Sequence, residues 1–257
     1  DVNNDNQSDI FIARDSGIYL YINNKGVFSE KKIKVDFEEN TTPIAIATGD
    51  INKDGFVDLY ISVFANLANF KTLKFNDPSN ERSNVMLLNN GDNTFKDITK
   101  ISGLQFKKNT FLSSFVDLND DSWLDLVVST DTHRVKIYKN LGNSTFEEMP
   151  SPTDYVSWMG LGIGDIDNDA DMDLFFSNVG NTLPISNVGN KISEILFKGD
   201  LRDNQKVAVQ WALLRNEGNF VFTDITNKSG LKKNQFGWGT IIEDFNLDGL
   251  QDLMIAE

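Results

Sequence analysis

Short apolar runs separated by polar turns set the rhythm of the whole chain: IFIA from Ile10, IYLYI from Ile18, LYIS from Leu59, VMLL from Val85 and LFFS from Leu174. Clusters of Asn, Asp, Gly and Ser bound them, and side-chain alternation as in IYLYI is the period of a half-buried β-strand. The pattern therefore predicts an all-β protein. No run approaches the ~20 apolar residues of a membrane-spanning helix, so no membrane insertion is expected.

Five short apolar runs, starting at Ile10, Leu59, Leu126, Leu174 and Leu253, follow the same nine-residue polar segment: DVNNDNQSD (1–9), DINKDGFVD (50–58), DLNDDSWLD (117–125), DIDNDADMD (165–173) and DFNLDGLQD (244–252). Each has Asp at position 1, Asn or Asp at position 3, and Asp at positions 5 and 9. Oxygen ligands at alternate positions, with a main-chain carbonyl at position 7, are how the EF-hand loop begins to wrap a hard cation. Here helical flanks are missing and the last carboxylate falls at position 9, so the loop is expected to join two strands. The candidate ligands are Asp1, Asn3, Asp5 and Asp9 with the carbonyl of Gln7; Asp50, Asn52, Asp54 and Asp58 with Phe56; and Asp117, Asn119, Asp121 and Asp125 with Trp123. The last two loops offer Asp165, Asp167, Asp169 and Asp173 with Asp171, and Asp244, Asn246, Asp248 and Asp252 with Leu250. Position 6 needs a left-handed backbone, which Asn6, Gly55 and Gly249 tolerate more readily than Ser122 and Ala170.

Such turns could simply cap hairpins, since Asp and Asn bond their own backbone. Five in one phase, each with at least three carboxylates that would repel one another, point instead to Ca²⁺, up to five ions. Mg²⁺ fits less well because it demands a tight octahedron with retained waters. The fourth loop, with Asp at position 3, is expected to bind most tightly.

A second element recurs downstream as N-x-G-x-x-x-F: Asn89, Gly91, Phe95; Asn140, Gly142, Phe146; and Asn216, Gly218, Phe222. A first copy, Asn24, Gly26 and Phe28, is two residues shorter. Each reads as a hairpin with Gly supplying a positive φ. The unit is thus strand A, cation loop, strand B, connection, strand C, turn, strand D. Four antiparallel strands repeated at about 48 residues match the blade of a β-propeller, and residues 1–257 read as one such domain. Small residues crowd strand A, as at Gly160, Gly162 and Gly164, where inner strands converge. Six residues before each loop stands Ile44, Phe111, Met159 or Trp238, expected to form a packing layer between blades. The strand count runs three, then three full blades, then two. Further blades are expected from additional chain or a partner, because an open sheet edge is a liability.

Composition sharpens this. Thirty-eight acids against 24 Lys plus Arg give a net charge of −14, so nucleic acid is not an expected partner. No Cys and a single His, His133, remove disulfides, thiolate catalysis and multi-His metal centres. Five divalent ions would bring the charge to −4, so the acidity reports demand for cations.

The loop, the Asn-Gly turn and the D-I-T-x-x-S-G-L run after it resemble the FG-GAP/VCBS repeat. They are similar to the calcium-binding blades of integrin α-subunit propellers, and most closely to bacterial VCBS-repeat proteins related to the ASPIC/UnbV group. The resemblance implies a propeller, often seven-bladed, on secreted or cell-surface bacterial proteins, with Ca²⁺ in the A–B hairpins.

Two B–C connections carry insertions, about 64–83 and 180–206, which explain the uneven loop spacing. They are expected on the face opposite the cation loops, where recognition of a protein or glycan would sit. Candidate contacts there are Phe70, Lys71, Lys74, Phe75, Arg82, Lys191 and Arg202, and also Trp158, whose position the repeat does not explain. The reading is a calcium-stabilised adhesion module without catalysis. Rival readings are a lyase-like polysaccharide enzyme on the same scaffold and an architectural subunit of a surface assembly.

Overall fold

A computed structural model describes residues 1–69, 77–131, 133–154, 158–178, 210–231 and 235–256. Among them are 17 strands in five antiparallel sheets. The first sheet is β1 (Ile10–Arg14), β2 (Gly17–Asn24) and β3 (Val27–Ile33). Three four-stranded sheets follow: β4 (Thr41–Gly49) to β7 (Phe95–Asp97) through β5 (Asp58–Ala65) and β6 (Val85–Asn89); β8 (Thr110–Val116) to β11 (Phe146–Met149) through β9 (Asp125–Thr130) and β10 (Lys136–Asn140); and β12 (Trp158–Gly164) to β15 (Phe222–Asp224) through β13 (Asp173–Asn178) and β14 (Ala212–Asn216). The last is the pair β16 (Gly239–Glu243) and β17 (Asp252–Ala256). The three, four, four, four, two count is the one read from the repeat. The only helical elements among the described residues are two three-residue 3₁₀ turns, at Leu67–Asn69 and Pro78–Asn80, and no helix there is long and apolar enough to cross a membrane.

Each sheet is a meander, and sheets pack face to face as propeller blades do. The apolar core is divided accordingly among the seams. Val2, Ile18 and Leu20 meet Leu59, Ile61 and Leu87 in the first seam. Ile51, Tyr60 and Leu104 meet Leu126, Val128 and Tyr138 in the second. Val127 and Ile137 meet Trp158, Leu174, Phe176 and Leu214 in the third, and Phe175 and Leu213 meet Ile242 in the fourth. Alternate residues of one strand therefore fill opposite seams: Leu87 faces back and Met86 forward. This two-sided burial explains why β5, β9 and β13 are buried along their full length.

The inner strands β4, β8, β12 and β16 follow one another in contact. Close approach is what the small residues permit. A Cβ added to Gly164 would lie 2.5 Å from Ile242 Cγ2, and one on Gly160 would lie 2.8 Å from Thr240 Cγ2. The expected packing layer is only partly present: Met159 is buried, whereas Ile44 and Trp238 are exposed. Trp238 stacks on Phe236 (centroids 5.6 Å, 14°) and lies 6.1 Å from Phe111, so one edge is covered and the rest open.

Candidate metal loops and the hinge between blades

All five loops share one backbone path. Position 4 is left-handed at Asn4, Lys53, Asp120, Asn168 and Leu247, with φ from 58° to 62°. Position 6 is left-handed at Asn6, Gly55, Ser122, Ala170 and Gly249, with φ from 65° to 89°. Ser122 and Ala170 thus take the conformation that their side chains disfavour, and Leu247 does so too.

The carboxylates hold that path. In four loops the position-1 oxygens accept the N–H groups of positions 5 and 6, and in loop three Asp117 accepts that of position 6: for Asp50, Oδ1 accepts from Asp54 at 3.1 Å and Oδ2 from Gly55 at 2.8 Å. Asp165 does the same with Asp169 and Ala170, and Asp244 with Asp248 and Gly249. Position 5 accepts the N–H of position 7 in every loop, at 2.8 to 2.9 Å from Gln7, Phe56, Trp123, Asp171 and Leu250. In the first three loops the position-3 Asn also donates Nδ2 to position 5, as from Asn52 to Asp54 at 2.8 Å.

Loop four lacks that donor because Asp167 replaces Asn. Carboxylate oxygens of Asp165, Asp167 and Asp173 lie within 4.8 Å of one another. Desolvation and the neighbouring Asp169 charge push the Asp167 carboxyl above its ordinary range, and Arg215 Nε, 3.9 Å away, offsets this only in part. The donor set is all oxygen and anionic, which suits a hard divalent cation and not a soft one.

Position 9 has a structural duty as well. Its Oδ2 accepts the N–H of position 2 (Val2, Ile51, Leu118, Ile166) at 2.8 to 3.0 Å. Its Oδ1 accepts the N–H of a turn Asn (Asn23, Asn89, Asn140, Asn216) at 2.7 to 2.9 Å. Asp58, Asp125 and Asp173 are fully buried. Burial pushes the Asp58 carboxyl up to about 7 and that of Asp125 up to about 6, against the pull of the two N–H donors. A carboxylate oxygen can accept more than one partner, so these two N–H donors do not exhaust the acceptor capacity of the group.

The turn Asn joins neighbouring blades, a role that the sequence reading missed. Asn140 Nδ2 donates to Ile51 O in the preceding loop (2.9 Å) and to Leu124 O in its own (3.1 Å), while its Oδ1 accepts from Gly142 N. Asn89 reaches Val2 and Val57, and Asn216 reaches Leu118 and Met172, in the same way. In the first sheet this residue is Asn23, not Asn24: Asn23 binds Asp9 and Ser8, accepts from Gly26, and pairs with Phe28 as Asn89 pairs with Phe95. That turn is therefore one residue shorter than the others, not two. Position 7 packs beneath the turn glycine, since a Cβ on Gly91 or Gly142 would meet the Phe56 or Trp123 ring at 3.0 Å. At the far end of each strand B a serine latches the next blade. Ser62 Oγ bonds Ser113, Ser129 Oγ donates to Trp158 O, and Ser177 Oγ donates to Gly237 O. The recurring Ser of LYIS, LVVS and LFFS was the available signal.

On the opposite face two expected ligand contacts are corrected. Trp158 is 1% exposed, sits edge-on to Phe176 and donates its indole N–H to Asp154 O. Arg82 is buried and donates to the carbonyls of Glu39, Ser79 and Glu81. Both side chains are consumed by packing and backbone carbonyls. Phe70, Lys71, Lys74, Phe75, Lys191 and Arg202 lie outside the described residues. Phe64, at the root of the first insertion, is buried against Phe111. His133 is partly buried edge-on to Phe106, and burial lowers its pKa.

The FG-GAP-like repeat family matches residues 1–61 and 117–176. None of the curated proteins matches the sequence. Among solved structures the chain is similar to the V. cholerae biofilm matrix protein Bap1, at 12% identity and a TM-score of 0.47, over 87% of this chain and 30% of that one. The chain thus spans less than a third of that protein's length.

Proposed function

The chain carries FG-GAP-like repeats, and on that premise we propose that it is a calcium-stabilised, extracellular or cell-surface propeller that binds a protein or glycan without catalysis. The observation that supports calcium is loop four, where Asp165, Asp167 and Asp173 bring three carboxylates together with Asp169 beside them and no amide donor at position 3. Asp165, Asp167, Asp169 and Asp173, with the Asp171 carbonyl, would hold the ion. The other loops offer the same set with Asn at position 3. Bound there, Ca²⁺ supplies charge neutralisation.

The protein's own residues divide the labour by face. Loop carboxylates fix the left-handed turns, position 9 ties the first four loops to their hairpins, and Asn89, Asn140 and Asn216 fasten three of those hairpins to the preceding loop. The B–C connections leave the other end of the blades and vary in length, which makes them the surface for recognition. The catalysis-free reading rests on how titratable groups are used: the buried carboxylates brace loops, and His133 packs against Phe106.

Calorimetric titration of chelator-treated protein tests the cation. Binding at roughly 0.1 to 1 mM, the range of extracellular modules, is expected, with Asp169→Ala removing the tightest class of site. An unchanged isotherm in that variant would overturn the assignment of loop four. Glycan and protein arrays probed with full chain and with a variant shortened at 64–83 test recognition, and equal binding by both contradicts the role of that insertion.

A further inference from the structure

A continuous thread of hydrogen bonds runs through the first four loops. In loop one Val2 N donates to Asp9 Oδ2, and Val2 O accepts from Asn89 Nδ2 of the next sheet. Asn89 N in turn donates to Asp58 Oδ1, the position-9 carboxylate of loop two. The same three steps then repeat. From Asp58 the thread passes through Ile51 and Asn140 to Asp125, and from Asp125 through Leu118 and Asn216 to Asp173. Every bond in it is 2.7 to 3.0 Å long. From Asn89 onward no residue of the thread is more than 3% exposed. A position-2 backbone and a turn Asn are thus all that stand between one candidate ligand carboxylate and the next.

A second set of contacts lies on the exposed side of the loops. Asn4, at position 4 of loop one, donates Nδ2 to Gly55 O of loop two at 2.8 Å. Lys53, at position 4 of loop two, sets its ammonium 4.1 Å from the Trp123 ring centroid of loop three. Asn168 of loop four reaches Gly249 O of loop five at 3.5 Å. Position 4 therefore meets position 6 or 7 of the following loop.

We propose that neighbouring loops take up calcium cooperatively, coupled by the turn Asn residues, an inference that rests on the calcium reading above. Position 9 is a candidate ligand whose Oδ2 is bonded within its own loop and whose Oδ1 is bonded to the turn Asn. Holding that carboxylate in place also holds the Asn and, through its amide, the position-2 backbone of the preceding loop. The preceding loop's own position 9 is bonded to that same backbone, so part of its ordering is complete before its site is filled. A site ordered in advance binds more tightly, and burial withholds water as an alternative partner for these groups. The effect is reciprocal, each loop raising the affinity of the other by the same factor, and about fivefold is expected.

Trp123 supplies the readout, since it belongs to loop three and packs beneath Gly142. The full chain, labelled with fluorotryptophan and freed of divalent ions by a chelator, is titrated with calcium. The Trp123 fluorine resonance, assigned with Trp123→Phe, follows loop three. Asp54→Ala disables loop two and should weaken the Trp123 midpoint about fivefold. In an Asn140→Ala background, where the buried link between loops two and three is cut, the same change should shift the midpoint by less than about twofold. Independently of that variant, emptying loop three with Asp121→Ala in saturating calcium should speed amide exchange at Ile51 of loop two by about fivefold. A midpoint unmoved by Asp54→Ala, a shift that persists in full without Asn140, or unchanged exchange at Ile51 overturns the coupling and leaves calcium binding standing. A Trp123 resonance indifferent to calcium in the native chain removes the calcium reading at loop three, and the coupling with it.

Discussion

Asn140 is buried, and it connects three carbonyl or carboxylate acceptors in two loops while accepting from Gly142 N. Asn140→Ala leaves the Ile51 and Leu124 carbonyls and the Gly142 N–H without that partner, at about 1 to 3 kcal/mol for each buried group. Chemical denaturation should therefore show a loss of at least about 2 kcal/mol, and a loss near zero would mean that the seams close without the Asn. Ala170 offers the opposite change. At φ 76° it sits where its Cβ is disfavoured, so Ala170→Gly should stabilise the protein by about 1 kcal/mol, read as a higher melting temperature in calcium. A third residue-scale outcome follows from burial of position 9. In chelated protein Asp58 and Asp125 hold protons up to about 7 and about 6, whereas the ordinary value of both is 3.8. The folded state thus binds more protons than the unfolded state across that window, and stability falls as pH rises through it. Carboxyls lowered by partners, such as Glu38 and Asp121, act below that window, and His133, lowered by burial, acts inside it with the opposite sign but as one group against two raised carboxyls. Melting in EDTA should drop between pH 5 and pH 7.5, and a rise would refute the account.

At the scale of elements, the order of strands was legible because each of its parts carries its own chemistry: left-handed Asp/Asn loops, two-sided apolar strands, a Gly turn. What was not legible depended on neighbours. Asn24 fits the motif as well as Asn23 does, and only the pairing of Asn23 with Phe28 and its bond to Asp9 decides between them. Trp158 and Trp238 are adjacent in the repeat frame, yet the first is enclosed by the third seam while the second stands open. A periodic sequence says which residues are equivalent, and burial also depends on what the adjacent sheet brings. The glycines of β12 show the same dependence, since nothing local to Gly164 demands a missing side chain. Ile242 across the seam does. Gly164→Ala should cost about 1 to 3 kcal/mol through overpacking, and the double variant with Ile242→Val should recover part of it; additive losses would place the strain elsewhere.

For the whole molecule, the net charge of −14 is a consequence of the repeat: 16 Asp occupy positions 1, 3, 5 and 9 of the five loops. Among the described residues three carboxylates come within 4.8 Å of one another only in loop four, and there, without a cation, the folded state concentrates repulsion that the unfolded chain disperses. Two independent remedies act on that repulsion, and they can be told apart. Monovalent salt screens exposed charges generally, with a Debye length of about 8 Å at physiological strength, and should raise the chelated protein's melting temperature gradually. On the proposed reading calcium acts by mass action: at 10 mM and a dissociation constant of about 0.5 mM, each site would add about 1.8 kcal/mol. Several sites together should raise the melting temperature far beyond anything salt achieves, and magnesium at equal concentration should do much less. In saturating calcium the salt dependence should nearly vanish, because the repulsion that salt relieved has already been neutralised. If salt and calcium at equal ionic strength give the same melting temperature, the loops are braced turns and not cation sites.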